Sequence, residues 1–282
     1  MDYWIYQSAN IGTLSIDNIR VSFVLSSDGL YKMSEWYNSD MRAGSSDYPI
    51  NTSPYKYKFM RTIRYNTNVS MTFAYFLNGT KEDFYKGMID FNPNKVASYT
   101  EFWNDYRTIK SFCEHFEIIR TDIALDIPND RDCFILERDR KSYQLQIRSR
   151  KERTEYLGIK NTVGYVKLYN KAYELSLPYP LTRLEITCEP NSASYLRHFP
   201  KLSIVNAQMN MEYLTLKDTD RFILMSILDA MSTGQTYAMD RFQELGRRKR
   251  EKLEPYLNTI QKNVQINYKD IEILFNKMYN EL

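Results

Sequence analysis

The chain has 282 residues, 43% of them hydrophobic and 26% charged, with a formal net charge of +3. No apolar run approaches the roughly 20 residues of a membrane span, the Met1-Asp2-Tyr3-Trp4 start has no signal-peptide order, and three cysteines without CxxC spacing form no disulfide framework. The composition therefore excludes a membrane-spanning or disulfide-built protein and predicts a cytoplasmic one, in which any attraction to nucleic acid comes from local clusters of charge.

Residues 13–25 (TLSIDNIRVSFVL) alternate as a strand and end in a turn at Ser26, Ser27, Asp28 and Gly29. Residues 40–55, rich in Ser, Asp, Asn, Gly and Pro, read as a long loop. YKYKFMRTIRYN and VSMTFAYFL predict two strands with a hairpin at 66–68, and GMIDFNPNKV a short strand stopped by Pro93. Between Tyr99 and Phe116, the residues Phe102, Trp103, Tyr106, Ile109, Phe112, Cys113 and Phe116 recur at three and four, which predicts an amphipathic helix carrying His115. RTDIALDI (120–127), SYQLQIRSR, TEYLGI, GYVKLYNK and TRLEITCE then follow as a meander of strands. After Pro190 the pattern turns helical: TDRFILMSILDAMS (219–232) with Gly234 as its stop, then YAMDRFQELGRRKREKLEPYL and YKDIEILFNKMYNEL. The expected fold is α+β. A large, curved, antiparallel-rich sheet body with flanking helices spans 1–190, and a helical C-terminal region spans 191–282.

Side chains alternate along a strand, so each of three strands has one apolar and one polar face. Arg120, Asp122, Ala124 and Asp126 share a face, as do Arg183, Glu185, Thr187 and Glu189, and as do Tyr165, Lys167, Tyr169 and Lys171. One such face alone is most simply a solvated one. Strands close in sequence tend to lie side by side, and together these three make a floor of carboxylates, a phenol and cations. Hard oxygen ligands of that kind suit magnesium or manganese. A phenol beside such a metal, with lysines for phosphate oxygens, suits covalent phosphoryl transfer. Other chemistries find less support. Two histidines, His115 and His198, assemble no local metal pair or triad, no nucleotide-binding glycine loop occurs, and Glu189, beside Pro190, reads as solvated.

Five stretches, DFNPNK (90–95), RTDIALDI (120–127), TEYLG (154–158), KLYNK (167–171) and TRLEI (182–186), resemble in order and approximate spacing the replication initiators of staphylococcal-type rolling-circle plasmids, the Rep_trans family of DNA relaxases. The resemblance implies that Tyr169 attacks an origin phosphate and becomes linked to the 5′ end, with Tyr156 of TEYLG as the rival. It implies metal ligands at Asp122 and Glu185, with Asp126 as a third, and magnesium or manganese as cofactor. Lys167 stands where the family has arginine, which keeps the charge but loses the planar fork. The residues after LG (Ile159, Lys160, Asn161 and Thr162) also depart from the family pattern. Lys167 and Lys171 are expected to join Tyr169 in catalysis by holding phosphate oxygens, and Arg183 to bind DNA beside them.

A plasmid rolling-circle initiator of this kind binds a double-strand origin, nicks one strand and leaves a 3′-hydroxyl as primer. Its implied partners are double- and single-stranded origin DNA, a second copy of the chain, and a host helicase and polymerase. A conjugative relaxase of a mobile element and a non-cleaving DNA-binding regulator stay open as alternatives. Arg247, Arg248, Lys249, Arg250 and Lys252 form the densest basic run in the chain. They are expected to read the origin from the C-terminal region, beyond a break at Gly246 and before an interruption at Pro255.

Overall fold

The computed structural model describes residues 5–8, 12–39, 46–49, 59–65, 70–75, 86–136, 142–149, 152–205, 216–232, 237–264 and 267–282. The first half of the sheet is built from β1 (Ile5–Ser8), β2 (Gly12–Leu25), β3 (Ser46–Pro49), β4 (Phe59–Arg64), β5 (Ser70–Tyr75), β6 (Lys86–Phe91) and β7 (Cys113–Ile127). The second half adds β9 (Tyr143–Ile147), β10 (Arg153–Leu157), β11 (Val166–Asn170) and β12 (Thr182–Cys188). Their order is β3-β4-β5-β6-β2-β7-β12-β11-β10-β9, with β1 paired along β2, and each of these pairings is antiparallel. The expected meander runs through β9 to β12. β7 closes it by pairing with β12, which brings the three polar-faced strands together as neighbours.

The apolar face carries the main core. Leu14, Ile16, Ile19, Val21 and Phe23 of β2 pack there with Ile123 and Leu125 of β7, Leu184 and Ile186 of β12, and Leu168 of β11. α1 (Gly29–Ser39) brings Met33 to this core, and α3 (Thr100–Ser111) brings Phe102, Tyr106 and Ile109. α5 (Ser192–His198) lies against β12, and α9 (Tyr268–Glu281) against β1, β2 and α5, with Ile271, Leu274, Phe275 and Met278 buried. α6 (Asp218–Ser232), α7 (Tyr237–Glu244) and α8 (Arg247–Ile260) share a separate core of Leu216, Leu224, Ile227, Phe242, Leu253 and Leu257. A small sheet of β8 (Phe134–Leu136), β13 (Leu202–Val205) and β14 (Gln261–Asn263) completes the α+β fold. No helix among the described residues is long and apolar enough to cross a membrane.

Several expectations are corrected. The predicted helix to Phe116 stops at Ser111, and Cys113 to Phe116 begin β7, so His115 lies on a strand. The long β2 supplies a ladder partner as far as Cys113, and tertiary pairing overrides the helical spacing. Within the expected loop at 40–55, residues 46–49 form the edge strand β3 on β4. Lys171 is the first residue of α4 (Lys171–Leu175) and not part of the strand. The basic segment divides into α7 and α8 at Gly246. Pro255 does not interrupt α8, because Leu253 and Leu257 on either side of it are buried. The expected hairpin at 66–68 and the stop at Gly234 lie outside the described residues.

Candidate active site

Register decides which side chains of the polar face meet. Across β11 and β12, Tyr169 faces Arg183 and Lys167 faces Glu185. Across β12 and β7, Arg183 faces Asp126, Glu185 faces Ala124, and Thr187 faces Asp122. Diagonal neighbours on such a face are within reach of long side chains.

Tyr169 is the centre of this arrangement. Its hydroxyl donates to Glu185 Oε1 at 2.5 Å, and Lys171 Nζ donates to the same phenolic oxygen at 3.3 Å. Lys171 also holds Glu174 at 2.7 Å. Lys167 Nζ sits 3.9 Å from the ring centroid and 3.3 Å from Glu185 Oε2. The residue is only 6% exposed. Burial, followed by the charge and hydrogen bond of Glu185, pushes the phenol far above the ordinary tyrosine range. At neutral pH the hydroxyl is therefore protonated and has a carboxylate aligned to receive its proton.

One strand over, Arg183 forms a bidentate pair with Asp126, Nε to Oδ1 and Nη2 to Oδ2, both at 2.6 Å. Its Nη1 also reaches Asp17 Oδ1 at 2.9 Å. Gly12 lets β2 approach here, since a Cβ at that position would meet the Asp126 carbonyl oxygen at 2.0 Å. The DFNPNK stretch folds into the same neighbourhood. Asn92 caps α2 (Pro93–Val96) and donates to Asp17 Oδ1 at 3.3 Å, while Asn94 donates to the Ile16 carbonyl at 2.7 Å.

The three expected metal carboxylates do not converge, and no cluster of three such ligands exists among the described residues. Asp126 is occupied by Arg183, and Glu185 by Tyr169 and Lys167. Asp122 is different. Burial raises its carboxyl above the usual range, with Arg120 and a Thr187 hydrogen bond opposing that shift. Its Oδ1 is buried with no hydrogen-bond partner among the described residues, and so is Oδ1 of Asn18, the residue opposite it on β2. Arg120 Nε and Nη1 beside them also lack acceptors among the described residues. Unmet oxygens and unmet guanidinium donors in one place fit a hard cation carrying a phosphate oxygen.

Reading the sequence by alternation named Tyr169, Lys167, Lys171, Arg183, Glu185, Asp122 and Asp126; the structure sets the strand residues among them on one face and brings Lys171 beside Tyr169 from α4. The reading missed Asp17 and Asn18. The signal was present in the adjacent polar pair that breaks alternation in TLSIDNIRV, where β2 shifts register against β7. The rival Tyr156 shares the face and, among the described residues, meets the amide of Gln146, at 3.3 Å, and the ring of Tyr165. The basic run lies apart, at the start of α8. There Lys249 and Lys252 both hold the buried Asp220 of α6, Arg250 holds Gln243, and Arg247 pairs with Glu251.

No family model matches the chain, and no curated protein does. Among solved structures, the chain is similar to the rolling circle replication initiator protein from Geobacillus stearothermophilus. The identity is 15%, the match covers 70% of this chain and 88% of that one, and the TM-score is 0.41.

Proposed function

We propose that the chain initiates plasmid rolling-circle replication by nicking and closing DNA through Tyr169. One observation carries this reading: a buried tyrosine hydroxyl donating to Glu185 at 2.5 Å with Lys167 and Lys171 beside it. A protonated phenol with its own proton acceptor and two ammonium groups suits a nucleophile for a phosphodiester. In the first step Tyr169 Oη bonds to the scissile phosphorus and its proton passes to Glu185. The P–O3′ bond breaks, the 3′ oxygen takes up a proton, and the 5′ phosphate stays esterified to Tyr169. One ester replaces another, so the reverse step rejoins the strand.

On and beside this face six carboxylates outnumber five cations. Asp17, Asp90, Asp122, Asp126, Glu174 and Glu185 oppose Arg20, Arg120, Lys167, Lys171 and Arg183. An incoming phosphate therefore needs added positive charge. Magnesium or manganese at Asp122 and Asn18, with Glu185 as diagonal neighbour, would supply that charge to the phosphate oxygens. In this reading the freed 3′-hydroxyl primes a host polymerase and a host helicase opens the duplex. A second copy of the chain brings the tyrosine that ends the round.

The test is to incubate the protein with supercoiled plasmid carrying its own origin, in magnesium, and to search for protein linked to a 5′ end. A covalent 5′ adduct with relaxed plasmid is expected. Salt-sensitive binding without adduct or relaxation would instead identify a non-cleaving regulator, and cleavage confined to a transfer origin would identify a conjugative relaxase.

A further inference from the structure

We infer that Tyr156 and Tyr165 form a stacking platform for an unpaired DNA base next to the phosphate at Tyr169. The inference rests on the proposed nicking reaction and adds a base subsite to it. Register places the pair. Tyr156 on β10 lies directly opposite Lys167 on β11, so it shares the face of Lys167 and Tyr169, and of Tyr165 just before that strand. Tyr156 is thus a diagonal neighbour of both other tyrosines, a separation of about 7–8 Å on such a face. Tyr165 in turn sits beside β12, where its carbonyl accepts from Thr187 N at 2.9 Å. Burial, then Tyr156 and Glu185, push its phenol up to about 12, so at neutral pH the ring is uncharged.

Three features point to a base. The first is ring geometry. The two rings lie 14° from parallel with centroids 6.1 Å apart, and both residues stay half-buried, partly in water. Bases splayed from a single strand stack on aromatic rings presented in this way. The second is rigidity. The Tyr156 hydroxyl lies 3.3 Å from the Gln146 amide, which also accepts from Arg148 Nε at 3.1 Å. The hairpin between the two tyrosines is pinned as well, with Thr162 Oγ1 donating to the Ile159 carbonyl at 2.7 Å and Tyr165 N to the Thr162 carbonyl at 3.1 Å. The rings are therefore set before any ligand arrives, which lowers the cost of binding.

The third is the division of charge across the face. From β11 to β7 it carries the ion pairs Lys167–Glu185, Arg183–Asp126 and Arg120–Asp122. Toward the β9 edge it carries Thr154 and Tyr156 on β10 opposite Gln146 and Gln144 on β9, none of them charged. A phosphate belongs on the first half. A neutral base laid there would strip water from ion pairs, whereas on the second half it meets rings and two amides, groups that bond base edges. Arg148, in an exposed pair with Glu152 at the far end, is placed to take the next phosphate. A duplex keeps the faces of its bases covered, so the ligand is a single strand.

The experiment uses a dT oligonucleotide carrying one 2-aminopurine, titrated in EDTA against the wild type and against Tyr156→Leu, Tyr165→Leu, Tyr156→Phe and Tyr165→Phe. Stacking quenches 2-aminopurine. The leucine variants are expected to lose the quench and to bind roughly tenfold more weakly, the order of one aromatic stacking contact, with an unchanged salt slope. The phenylalanine variants should keep both affinity and quench. Leucine removes half-buried rings, so melting temperatures are read alongside, and a second measurement needs no variant. A 5-iodouracil placed in the same oligonucleotide and irradiated on the wild type should cross-link to Tyr156 or Tyr165. Cross-links confined to other residues, or leucine variants that match the wild type, would overturn the platform and leave the nicking reaction standing. A wild type that neither binds the oligonucleotide nor forms a 5′ adduct on plasmid would remove both.

Discussion

At the scale of single residues, the site turns on one proton. Tyr169→Phe deletes only the hydroxyl proposed to attack and leaves the ring under Lys167, so DNA binding should persist while the covalent adduct disappears. The check is a gel for protein-linked DNA beside a binding titration. Glu185→Gln tests the proton acceptor, a role worth about 10²–10⁴-fold in rate. The pH profile separates this role from a purely structural one. In the wild type the phenol is held well above its ordinary value of about 10, so nicking should not climb as pH rises toward 10. In Glu185→Gln burial still raises the phenol, the added push of the Glu185 charge is gone, and with no proton acceptor attack depends on the phenolate fraction. The residual rate should therefore increase with pH over the same range, and a profile parallel to the wild type would show that Glu185 is not the acceptor. Alternation along three strands revealed which of these side chains share a face, because a period of two depends only on local geometry. It did not reveal partners. Asp126, the third ligand of the sequence reading, had Arg120 and Arg183 as rival ion-pair partners, and the register chooses Arg183.

At the scale of elements, the sequence was most legible where alternation was strict and bounded by turns, as in β9 to β12. It failed where a partner decided the outcome. SDYP at 46–49 has no strand pattern of its own and becomes β3 because β4 offers a ladder. Cys113 to Phe116 fit the helical period but pair with β2. On β10 the alternation conceals an oddity. Glu155 points into the apolar side, where it bonds Arg131 and, at 2.7 Å, Arg153, and the three side chains are almost wholly buried. Removing the shared anion leaves two buried guanidinium groups facing each other. Glu155→Gln should therefore destabilise the body by about 3–5 kcal/mol, measured as a loss in denaturant midpoint. A change below about 1 kcal/mol would mean that water already reaches the triad.

At the scale of the whole molecule, the sheet body and the three-helix unit have separate cores, and the basic run belongs to the second. Four of its five cations are engaged within the fold: Lys249 and Lys252 on Asp220, Arg250 on Gln243, and Arg247 on Glu251. Arg248 is exposed, with no partner among the described residues. Such positive charge at a helix start opposes the helix dipole, and the fold tolerates it partly because the two lysines pin α8 to α6. Their hydrogen bonds hold the Asp220 carboxyl below the usual range. A group depressed in the folded state stabilises above its unfolded value of about 4 and loses that contribution as pH falls through the folded value. The helical unit should accordingly melt earlier in acid, and Asp220→Asn should abolish that dependence.

The same partition sorts the cations by what DNA would feel. Arg247 sits in an exposed i,i+4 pair worth only tenths of a kcal/mol, so it and Arg248 can turn to a duplex at little cost. α7 and α8, joined at Gly246, present these two arginines on the first turn of the second helix. That is where a helix-turn-helix reader places its base contacts. Arg247→Ala and Arg248→Ala should each weaken origin binding without changing the melting temperature. A variant that also weakens binding to random duplex and flattens the salt slope by about one has lost a phosphate contact, while one that weakens only the origin has lost a base contact. Lys249→Ala and Lys252→Ala should lower the melting temperature first, and DNA affinity only as the helices loosen. The reverse ranking, with the lysines setting affinity in a fully stable fold, would mean that α8 swings away from Asp220 to meet DNA.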